Sequence, residues 1–69
     1  MVNINLLKDT LKEGSINIET AASKIGIDAS TFYRRLQRDG SNFTVEEVGK
    51  LAELLNLSSE ELQRIFFER

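Results

Sequence analysis

One punctuation pattern recurs along this chain and limits what it can become. A short polar residue follows an apolar one, and a second apolar residue stands four positions later: Val2-Asn3 with Leu7, Ile27-Asp28 with Phe32, Phe43-Thr44 with Val48, and Leu57-Ser58 with Leu62. This is the signature of a helix N-cap flanked by a hydrophobic staple, in which the residue before the cap packs on the fourth helical residue. Two of these starts, Thr44 with Glu47 and Ser58 with Glu61, also carry the acid three residues on that completes a capping box. The pattern predicts an all-α chain.

Stop signals divide the sequence into five helices. The first is expected from Asn3 to about Glu13, with Gly14 as its left-handed stop and Leu7 and Leu11 inward. Asn17 caps the second, where Ile18, Ala21, Ala22 and Ile25 form one stripe at helical spacing, and Gly26 ends it. The third runs from Asp28 towards Gly40. The fourth runs from Thr44 to Asn56 with Leu51, Ala52 and Leu55 inward, and the fifth follows Ser58 and turns Ile65 and Phe66 to the core. No proline interrupts any of them. Sixty-nine residues support one small hydrophobic core, so residues 1–69 are expected to form a single domain.

Composition removes several chemistries. Without cysteine or histidine there is no disulfide, no thiolate metal site and no imidazole acid–base pair, and no glycine-rich phosphate loop or metal-ligand cluster occurs. No enzyme, cofactor, metal or small-molecule substrate is expected. The adjacent acids Glu46-Glu47 and Glu60-Glu61 sit in first helical turns, where they suit the helix dipole. No apolar run is long enough to span a bilayer and no secretory signal is visible, so a cytoplasmic location without membrane contact is expected.

The chemistry concentrates in "DASTFYRRLQRDG", residues 28–40, which holds three of the nine basic residues. The second and third helices, joined by "KIGID", have the makings of a helix-turn-helix: Ala22 where the helices meet, Gly26 in the turn, and Ile27, Phe32 and Leu36 as anchors. With Phe32 and Leu36 pointing in, a projection at helical spacing turns Ser30, Arg34 and Gln37 outward. Tyr33 falls on one shoulder, Thr31 and Arg38 on the other, and Arg35 nearer the core. Arginine can address guanine and glutamine adenine in the major groove. Net charge is −2, but it is divided. Residues 24–42 carry Lys24, Arg34, Arg35 and Arg38 against Asp28 and Asp39, whereas residues 43–69 carry twice as many acids as bases. A solvated face of arginines near a helix C-terminus is the plainer alternative.

The segment "AASKIGIDASTFYRRL", the glycine-containing loop after it and "FTVEEVGKLAELLNLSSEEL" resemble the phage-repressor, Cro-like helix-turn-helix family of small regulators from phages and mobile elements. The resemblance implies a compact five-helix, lambda-repressor-like domain that places its third helix in the major groove and binds operator half-sites as a homodimer. It puts Ala29, Ser30, Tyr33, Arg34 and Gln37 at base-contacting positions. It puts Asn17, Thr31, Arg38, Ser41 and Asn42 at contacts to the DNA backbone. The function implied is a transcriptional repressor in a bacterial or phage-infected cell, either a whole Cro-like protein or the N-terminal domain of a longer one. Two positions depart from the pattern. Many relatives have glutamine after the second-helix cap, where this chain has Ile18, so that interaction is not carried over. Asp28 puts a carboxylate at the start of the third helix, where it would repel phosphate, accept from cytosine or, as expected here, cap the helix.

A second reading comes from "IFFER" at the C-terminus. Adjacent Phe66 and Phe67 cannot both face one core from one helix, so Phe67 either tucks against the first helix or forms part of an interface. With the acidic half around it, this suggests an antitoxin-like or regulatory protein-interaction module.

Overall fold

Each element begins where a cap can satisfy its first turn. The computed structural model describes residues 2–38 and 43–67. It contains α1 (Ile4–Glu13), α2 (Ile18–Ile25), α3 (Ala29–Gln37), α4 (Val45–Leu55) and α5 (Ser59–Phe66), with no strand among the described residues. The side chains of Asn3 and Asn17 accept backbone N–H groups of Leu6 and Thr20, at 3.0 and 2.8 Å. Thr44 with Glu47, and Ser58 with Glu61, form both halves of their capping boxes. Asp28 departs from expectation. Its backbone is extended as a cap requires, but its side chain is exposed and accepts no backbone N–H. Position N3 of α3 is Thr31 rather than an acid, so no reciprocal bond supports that first turn either.

Three connections share one design. Ser15-Ile16-Asn17, Gly26-Ile27-Asp28 and Asn56-Leu57-Ser58 each place a left-handed residue, a half-buried apolar residue and the next N-cap in succession. In each, the apolar residue's N–H reaches back to close a Schellman motif: Ile16 to Leu11 at 2.9 Å, Ile27 to Ala22 at 3.0 Å, and Leu57 to Ala52 at 2.9 Å. The same apolar side chain therefore ends one helix and packs at the entrance of the next. This corrects the expectation for Gly14. Its φ is −82°, and Ser15 takes the left-handed conformation at φ 57° instead. That one-residue shift is what allows Ile16 to complete the motif and reach the core. A Cβ on Gly14 would lie 3.4 Å from Ile16 Cδ1, an ordinary contact, so neither space nor φ at this position requires glycine.

The core joins Leu7 and Leu11 of α1, Ala21, Ala22 and Ile25 of α2, Phe32 and Leu36 of α3, Val48 and Leu51 of α4, and Ile65 and Phe66 of α5. Helix α2 packs on both α3 and α4, and α1 packs on α5. The start of α1 is tied to the end of α5 by Asn3 N–H donating to Ile65 O at 2.6 Å. Phe43, just before α4, stands edge-on between Phe32 and Phe66, with ring centroids 5.4 and 6.4 Å away. The Cα radius of gyration, 10.6 Å, is close to the roughly 11 Å that chain length predicts for one compact unit. No helix among the described residues is long and apolar enough to cross a membrane.

Candidate functional site

Helix α3 divides cleanly into an anchored and an open side. Phe32 is fully buried and Leu36 nearly so, and these two fix the rotation of the helix about its axis. Ser30, Arg34 and Gln37 are consequently exposed, as is Arg38, and Tyr33 stands half exposed. Thr31 is half-buried and accepts a bond from Arg34 Nη2 at 3.1 Å. Ala29 is half-buried and packs against the core, which leaves only part of its methyl group accessible. Asn17 is exposed at the start of α2, its side-chain oxygen engaged in the cap. Ser41, Asn42 and the expected stop at Gly40 lie outside the described residues.

Arg35 has a different task from the other arginines. Its guanidinium points back across the domain, pairs with Glu47 at the start of α4 and lies 5.5 Å from the Phe43 ring centroid. Glu47 Oε1 also accepts the Thr44 backbone N–H at 3.0 Å, so one oxygen serves both the α4 cap and the α3 anchor. Burial works to raise the pKa of this carboxyl, but the Thr44 N–H and the Arg35 guanidinium together outweigh it and hold the value below the ordinary 4.5. Glu61, in the equivalent box of α5, is also lowered, by the backbone and side chain of Ser58.

The open side of α3 is a ridge between two depressions. One, of about 520 Å³, lies between α3 and α1; Tyr33 and Gln37 line one wall, Lys8 and Lys12 the other, with Asn17 and Glu19 at the start of α2. The second, of about 200 Å³, is lined by Thr31, Arg34, Arg35 and Arg38. Both flanks therefore carry cations, and the outward side chains of α3 stand between them. Sequence reasoning does not single out Lys8 and Lys12. They are one turn apart on an exposed face of α1, but nothing in a local pattern says that this face will border α3. Lys24 lines neither depression.

The arrangement offers hydrogen-bond donors on a convex, well-anchored helix with positive charge to either side. Comparison with protein-family models, with curated proteins and with solved structures finds no match for this chain.

Proposed function

We propose that this protein is a sequence-specific double-stranded DNA-binding transcriptional regulator, of the phage-type, Cro-like kind, and that α2 and α3 act as its helix-turn-helix. The observation that carries this reading is the division of α3: Phe32, Leu36 and Arg35 hold it from behind, and Ser30, Tyr33, Arg34 and Gln37 project from the other side. An α-helix fits the major groove, where Arg34 can pair with guanine O6 and N7, Gln37 with adenine, and the Ala29 methyl can meet that of thymine. Asn17, Thr31 and Arg38 are placed in this reading at the phosphates, which set register and orientation without specifying sequence. Repression follows from occupancy, since a promoter covered by the protein is closed to polymerase. The acidic excess of the C-terminal half does not oppose binding, because a duplex responds to the local field. With few phosphates neutralised per chain, two copies on a palindromic operator would supply the affinity that one lacks.

Selection of bound duplexes from a random pool tests the reading. It should return a palindrome with half-sites about one helical turn apart, and recovery of random sequence would refute it. Arg34→Ala should weaken the selected duplex by about 1–3 kcal/mol and relax preference at one base pair. Arg38→Ala should weaken all duplexes alike, without changing the preferred sequence.

One observation favours a second reading. Phe66 is buried, but Phe67 is 61% exposed and does not tuck into the core. An exposed phenylalanine in the acidic C-terminal half of the sequence suits a protein partner or a second copy, as in an antitoxin-like module. Sedimentation of Phe67→Ser decides part of this: weaker self-association supports an interface there, and unchanged behaviour removes Phe67 from it.

A further inference from the structure

We propose that α1 belongs to the same interface, with Lys8 and Lys12 holding the phosphate backbone of one strand while Arg38, on the opposite flank of α3, faces the other. The proposal rests on the DNA-binding reading above and adds to it residues and a geometry that the α2–α3 pair does not contain.

The depression between α1 and α3 supplies the argument. Lys8 and Lys12 are both exposed, sit four residues apart and so stand about 6 Å apart along the axis of α1, on the same side of that helix. Across the depression from them are Tyr33 and Gln37, two of the side chains on the open face of α3. The opposite flank of α3 carries Arg38, at the smaller depression that Thr31 and Arg34 also line. A helix seated in a major groove has a sugar–phosphate strand on each side, and cations on both flanks match that pair of anionic walls. With the Arg38 side alone, one wall would be faced by positive charge and the other by the polar start of α2. The lysines remove that asymmetry. Glu19 also lines the α1 side and is the one acid there, so two lysines leave that wall with a net positive charge. Lysine suits the task, being a flexible point charge that reaches phosphate without demanding a fixed geometry.

The test measures salt dependence of binding to the pool-selected duplex by fluorescence anisotropy, comparing the parent with Lys8→Gln/Lys12→Gln. Removing one lysine–phosphate pairing should make the slope of log K against log salt shallower by about 0.9, and removing both should do so by about 1.8. Across a fourfold rise in salt, the double variant should then lose about tenfold less affinity than the parent while preferring the same sequence. Lys8→Arg/Lys12→Arg should keep the parent slope, because charge rather than shape is required. Lys50→Gln, on α4 and outside both depressions, should also keep it. A double variant with the parent's slope overturns the role of α1 and leaves α3 as the reading helix. A slope reduced equally by Lys50→Gln overturns it as well, since the effect would then be one of total charge. If the parent binds no duplex, the DNA-binding reading itself falls, and this proposal with it.

Discussion

At the start of α4, Thr44 and Glu47 exchange hydrogen bonds and satisfy two backbone donors; at the start of α3, Asp28 has a similar backbone conformation and its side chain accepts none. The first turn of α4 is specified by residues within four positions of one another. Helix α3 is held by partners distant in sequence: the core around Phe32 and Leu36, and Glu47, which receives Arg35 from twelve residues away. The two regions meet at that carboxylate. The outward face of α3 makes no contact with the core, and the helix is anchored from behind.

The largest effect should follow from cutting that anchor in the core. Phe32→Ala removes a fully buried ring that also stacks edge-on with Phe43, and should cost about 3–5 kcal/mol in urea unfolding. Destabilisation that large would leave a domain of this size marginally folded. A cost below about 1 kcal/mol would show that α3 is held elsewhere.

Next comes the shared carboxylate. Glu47→Ala removes a capping partner and leaves Arg35, 19% exposed, without its ion-pair partner, for a destabilisation of about 3 kcal/mol. Its acid response carries a defined sign. The folded pKa of Glu47 lies below the ordinary 4.5, so its contribution is fully present above that value and is lost as pH falls through the lower folded value. The parent should therefore destabilise on acidification more steeply than Glu47→Ala. The variant should retain some dependence, because Glu61 is lowered in the same direction. Equal pH dependence in the two proteins would break the link between α3 and α4.

The smallest effects sharpen the contrast between helix starts. Ser58→Ala should cost about 1 kcal/mol, since the hydroxyl accepts the Glu61 N–H and anchors a complete box. Asp28→Ala should stay within about 0.5 kcal/mol, the range of an exposed substitution, because it removes no cap bond. Matched thermal or urea titrations compare them directly. Equal costs would mean that Asp28 caps α3 after all.

Much of this architecture is legible because its signals are short. All five caps mark the starts observed, Gly26 and Asn56 mark the expected stops, and the projection of α3 from Phe32 and Leu36 yields the right exposed set. Gly14 misleads because a glycine near a helix end does not reveal which residue takes positive φ; the position of Ile16 decides it. Asp28 misleads because cap propensity describes an average, whereas a particular carboxylate can turn to solvent. Arg35 is recognisable as lying nearer the core, but its partner is not, since only packing brings α3 and α4 together. The placement of Lys8 and Lys12 across a depression from α3 is invisible for the same reason.

The sequence by itself determined the number of helices, where each begins and which side of each is apolar, because caps, staples and helical periodicity act over a turn or two of chain. The tertiary structure decided what each polar side chain borders. It turned one arginine of "DASTFYRRLQRDG" into a strut to Glu47 and left its neighbour Arg34 on the open face. It also brought two lysines from α1 to the far wall of a depression beside α3. The physical reason is range: backbone hydrogen bonds and steric preferences are settled locally, whereas ion pairs and surface charge patterns depend on how the helices dock around a common core.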